Sequence, residues 1–104
     1  MTGANPARGE ASLYCAGEAL VLRPSFAALV AAEQELGPLF ALVERASAGG
    51  LRLEEMTALF WHCLHGAPAG ITRQRLGEAV VAQGLAQVTP VLRVLLQQIL
   101  VGQA

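Results

Sequence analysis

The segment Trp61-His62-Cys63-Leu64-His65 gathers the most potentially reactive side chains in the sequence. Imidazole and thiolate are what zinc takes as ligands, and a thiol beside an imidazole is the start of a nucleophilic pair. On a helix, His62 and His65 at i, i+3 share a face, whereas Cys63 points about 100° away from His62. A zinc site needs three or four converging ligands. The sequence offers no third histidine and one further thiol, Cys15. Adjacent side chains on a helix cannot face each other, so Cys63 and His62 make no nucleophile–base pair. The expectation is that Cys15 and Cys63 are buried free thiols, too few and too far from CxxC spacing for a disulfide framework or metal knuckle. The two histidines then lie at a helix end, where imidazole suits the negative end of the dipole. A small metal or thiol protein using His62, Cys63 and His65 stands as the lesser alternative.

Glu33 is the other side chain that asks for a reason. It falls on a stripe formed by Phe26, Leu29, Val30 and Leu36 at i, i+3, i+4 and i+7 spacing, and a buried carboxylate is costly unless paired. A partner-binding role is one reading. The favoured one is structural: an ion pair with Arg23 or Arg52, or bonds to hairpin backbone donors. No glycine-rich phosphate loop, HExxH, GxSxG or paired-carboxylate motif is present, so neither catalysis nor a cofactor or metal is expected.

Composition narrows the class. The chain has 104 residues, 54% of them apolar and 14% charged, against typical values of about 45–50% and about 25%. That is enough apolar side chain for one folded domain. Seven Arg, eight Glu, no Lys and no Asp leave a net charge of −1, which gives phosphate backbones no electrostatic footprint. Arg73 and Arg75 flank one helix start without forming a basic stripe, so nucleic acid is not an expected partner. Apolar stretches such as Ala27 to Ala32 fall far short of the ~20 residues that span a bilayer. No basic segment precedes an apolar one at the N-terminus, so neither a membrane nor export is expected.

The pattern along the chain predicts a mainly α fold with a small β element: an N-terminal hairpin packed on a bundle of about five helices. Residues 1–8 read as a disordered leader and 9–104 as a single globular domain, with the hairpin at 9–24 and the bundle at 25–101. Leu13 and Cys15, then Leu20 and Leu22, alternate with their neighbours around a Gly-containing turn, and Pro24 closes the second strand. Ser25 caps a helix from Phe26 to about Leu36, ended by Gly37. Pro38 opens a second helix to about Ala46. A third covers about Glu54 to Leu64, burying Met56, Leu59, Phe60 and Cys63. Thr72 caps a fourth to about Gln83, stopped by Gly84. The last is in place from Pro90 at the latest, capped by Thr89, and runs to about Val101. Its apolar set of Val91, Leu92, Leu95, Leu96, Ile99 and Leu100 covers nearly half its circumference, fit for a core helix or for a partner-binding face.

Taken in order, Gly9-Glu10-Ala11-Ser12-Leu13, Leu20-Val21-Leu22-Arg23, Phe26-Ala27-Ala28-Leu29 with Glu33 and Leu36-Gly37, Ala48-Gly49-Gly50-Leu51, and Met56, Leu59 and Cys63-Leu64-His65-Gly66 resemble the small tail proteins of gene transfer agents. These are phage-like particles of bacteria, and the resemblance is to a family of tail assembly chaperones. It continues through Gly84-Leu85 to Leu100, and the Glu33-to-Gly37 spacing is its best local marker. The Pro68-to-Ile71 loop and the lack of Asp depart from the pattern. The resemblance implies a non-enzymatic protein of the bacterial cytoplasm that holds the tape measure protein while tail-tube protein polymerises around it. Self-association is compatible with that role. A structural tail-tube-related component retained in the particle is the alternative. Glu33, Phe26, Leu29, Phe60, Leu92, Leu95, Leu96 and Ile99 are the candidate partner-binding or structural residues.

Overall fold

A computed structural model describes residues 10–15 and 17–102; the leader expected at residues 1–8 lies outside them. The element order is β1 (Ala11–Cys15), β2 (Glu18–Leu22), α1 (Phe26–Leu36), α2 (Leu39–Ser47), α3 (Leu53–Cys63), β3 (Leu64–His65), α4 (Arg73–Gln83) and α5 (Leu85–Val101). Mainly α with a small β element is what forms.

The alternation of the first strands does what period two requires. Leu13 pairs with Leu20 and Ala11 with Leu22 across the antiparallel ladder. Leu13, Cys15, Leu20 and Leu22 all face the core. β1 lies on α4 and α5, which cover the hairpin's apolar face.

The third strand departs from expectation. α3 does not carry Leu64 and His65: they leave the helix and pair with Leu22 and Val21 on β2. The Arg23 N–H donates to the Cys63 carbonyl at 2.7 Å, continuing this junction one residue along the chain. A two-stranded hairpin is marginal in water, and a third strand satisfies backbone groups that β2 would leave open. His62 and His65 therefore do not share a helix face.

Local caps follow the sequence at Ser25, Thr72, Gly37 and Gly84. Ser25 Oγ accepts from the Ala28 N–H at 3.2 Å, and Thr72 Oγ1 from the Arg75 N–H at 3.1 Å. Gly37 ends α1 at φ +86°, a conformation that suits only glycine well. The exception is α5. Thr89 is not a cap, because α5 starts at Leu85 with Pro90 inside it, and Thr89 Oγ1 donates back to the Leu85 carbonyl at 2.6 Å. Gly84, at φ +89°, ends α4 and opens α5 in one residue, turning the chain by 119°.

The core lies between the sheet and the helices. Phe60, Leu13, Leu22, Leu42, Leu59, Leu76 and Leu95 are its largest fully enclosed side chains. No single helix among the described residues is long and apolar enough to cross a membrane.

Candidate functional site

The side chains singled out from sequence do not converge. Phe60 and Leu95 are enclosed in the core, and Leu29, Leu92, Leu96 and Ile99 are half-buried against it. Phe26 stands 86% exposed, so of the apolar candidates it alone offers most of its side chain to solvent. Most of the apolar arc of α5 is thus spent on the protein's own core.

Glu33 is exposed, which corrects its expected burial. The stripe of α1 faces inward only in part, because the helix turns Phe26 and Val30 outward with Glu33. Neither Arg23 nor Arg52 pairs with it. Glu33 Oε2 instead accepts the Leu39 N–H at 3.2 Å, the first helical N–H of α2. Its role is to cap a neighbouring helix. Arg23 is bound elsewhere: its Nε donates to Glu10 Oε2 at 2.6 Å, and the Glu10 side chain is 4% exposed. Both thiols are buried and unbridged. Burial alone pushes Cys63 up to about 12.

A cluster that sequence spacing did not reveal joins three helices. The Glu35 carboxylate at the end of α1 shares a 2.8 Å hydrogen bond with His62 Nε2 of α3 and accepts one at 2.6 Å from Arg73 Nη1 of α4. The Arg73 guanidinium also sits 5.8 Å from the centre of the Trp61 ring, within cation–π range. The hydrogen bond from Arg73, then that with His62, holds the Glu35 carboxyl below its usual range. These residues are 27 and 38 positions from Glu35, so no local pattern could announce them. No three His, Cys, Asp or Glu side chains among the described residues gather as a metal site would require.

Glu35 and Arg73 also line an open groove of about 1220 Å³ between α3 and α4. Its lining includes Leu36, Leu53, Thr57, Gly77, Val81 and Ala82, with Leu53 44% and Val81 60% exposed. The helices approach closely here: a Cβ on Gly77 would lie 3.5 Å from Thr57 Cγ2. α4 carries apolar residues on two sides, Leu76 and Val80 into the core and Val81 and Ala82 into the groove. What this arrangement can do is accept a side-chain row from another molecule.

The family whose description reads phage tail tube protein, GTA-gp10 matches residues 8–102. The chain belongs to that family. It is a phage and gene transfer agent tail protein, related to the tail tube, and its surfaces are to be read as those of a protein that works among other tail components. No curated protein and no solved structure matches it.

Proposed function

We propose that this tail protein is an assembly chaperone. It holds apolar helical segments of the tape measure protein in the bacterial cytoplasm while the tail tube forms around them. The observation that carries the reading is the apolar surface left open by a chain whose core is already filled. Phe26 at the start of α1 and Phe40 at the start of α2 are 86% and 78% exposed. Each offers a partner about 1.5–3 kcal/mol on full burial. Phenylalanines exposed at the starts of α1 and α2 are available to a partner, and a monomer gains nothing from them.

Co-expression with the tape measure protein tests the reading. The tape measure protein is expected to move into the soluble fraction and to copurify with the wild-type chain. Phe26→Ser with Phe40→Ser should lower both. A soluble fraction that is the same with and without this protein would sink the chaperone role.

The family description favours a second reading, a tube-related component that stays in the particle. Quantitative mass spectrometry of purified particles separates the two. Stoichiometric retention means a component, and loss on maturation means a chaperone.

A further inference from the structure

We propose that the groove between α3 and α4 is the seat of a cationic amphipathic helix, one with an apolar stripe flanked by Lys or Arg. The inference deepens the chaperone reading and rests on it for the source of the helix, the tape measure client.

Three observations carry it. The first is shape. The groove's lining runs along α4 from Arg73 to Ala82, about 14 Å at ~1.5 Å per residue, which matches two to three turns of a helix laid beside it. The second is the exposed pair Leu53 and Val81, one on each wall, set to meet an apolar stripe at i, i+3/i+4 spacing.

The third is charge. The lining contains Glu35, Glu54, Glu55 and Glu78 against Arg52 and Arg73. Glu35 is bound by Arg73 and His62, and Glu55 by Arg45 from outside the groove. That leaves Glu54 and Glu78 against Arg52 without an ionic partner among the described residues, and Glu78 has only a 3.3 Å hydrogen bond from Gln74. Exposed carboxylates in surplus over Arg52, set among the exposed apolar residues Leu53 and Val81, complement basic flanks and repel acidic ones. A second copy of this chain fits less well, because the only charge on α5 is Arg93 and its first and last turns carry none.

The test uses the full chain and two fluorescein-labelled, hydrocarbon-stapled 14-residue helices with the same Leu/Ala stripe, one flanked by Lys and one by Glu. Anisotropy titrations at low salt should show the Lys helix binding at least tenfold more tightly. The preference should shrink at high salt, as screening requires. Glu54→Lys with Glu78→Lys, both at exposed positions, should invert the preference, and Val81→Asp should weaken both helices. Circular dichroism checks that each variant is folded. Equal binding of the two helices, no binding, or a preference that survives Glu54→Lys with Glu78→Lys would overturn the inference.

Copurification with the tape measure protein separates this inference from the reading beneath it. A client held equally well by wild type and the charge-reversed variant keeps the chaperone and removes the groove. A client not held at all, with the stapled-helix pattern intact, keeps the groove and removes the chaperone.

Discussion

The Glu33 carboxylate accepts the Leu39 N–H at 3.2 Å, while the Glu33 carbonyl accepts the Gly37 N–H at 2.9 Å. One residue thus ends α1 and starts α2. Glu33→Ala should cost about 0.5–1 kcal/mol, the usual worth of a cap, and Glu33→Gln should recover part of that through its amide oxygen. Gly37→Ala should cost about 1–3 kcal/mol, because φ is +86° with extended ψ. Urea midpoints of the three variants give the ranking. A Glu33→Ala protein as stable as wild type would show that the bond contributes nothing.

Arg23 and Glu10 make the most enclosed ion pair described, with Glu10 inside and Arg23 at the boundary. Removing Arg23 takes an opposite charge away from an enclosed carboxylate, a loss of up to about 3–5 kcal/mol in a fully buried pair. Arg23 is partly exposed, so Arg23→Ala is expected to cost about 2–3 kcal/mol. Arg23→Lys, which keeps the charge but not the Nε geometry, should cost less than Arg23→Ala. Denaturant unfolding of the two variants measures the order, and the reverse order would contradict the argument.

The two thiols differ in what they should do chemically from what their neighbours in sequence suggest. Thiolate is the reactive form, and Cys63 is pushed up to about 12 by burial. At pH 8 the folded protein should leave Cys63 unlabelled by iodoacetamide over hours, and denaturant should release it. Peptide mass spectrometry reads the site directly. Rapid native labelling of Cys63 would mean that the end of α3 opens readily.

How much of this was legible in the sequence depends on the range of the interaction. The hairpin, the Ser25 and Thr72 caps and the Gly37 and Gly84 stops are written in neighbours one to four residues apart, and they were readable. Leu64 and His65 continued a helical pattern by spacing. Only the distant β2 edge gives them a reason to leave it. Glu33 looked like a buried carboxylate because the stripe on α1 includes Phe26 and Val30, which face solvent. The Glu35–His62–Arg73 cluster and the groove depend on how three helices pack, and periodicity carries no information about which helix covers which.

Gly77 lies inside α4 with no positive φ, and an added Cβ would meet Thr57 at 3.5 and 3.8 Å, ordinary contact distances. Ala should fit and should reduce the freedom of the unfolded chain. Gly77→Ala is expected to stabilise by about 0.5–1 kcal/mol. A raised thermal midpoint checks it; a lowered one would mean that α3 and α4 need to approach more closely than an Ala allows.

Acid stability should report on the clamp that Glu35 makes with His62 and Arg73. Hydrogen bonds from Arg73 and with His62 lower the Glu35 carboxyl from its ordinary 4.5. A lowered folded value means that the charged form is favoured by folding, so the contribution is complete above about pH 5 and fades as pH falls through 4.5 and below. Glu55, lowered by the Arg52 N–H and by Arg45, acts in the same window and the same direction. Both carboxylates are near the surface, so solvent screening keeps each contribution small. Urea midpoints of wild type and Glu35→Gln, compared between about pH 6 and about pH 3, isolate Glu35 because Glu55 is common to both. Wild type should be the more stable at the upper end, and the gap should narrow as the carboxylate takes up its proton. A gap independent of pH would mean that Glu35 holds α1, α3 and α4 together by shape and not by charge.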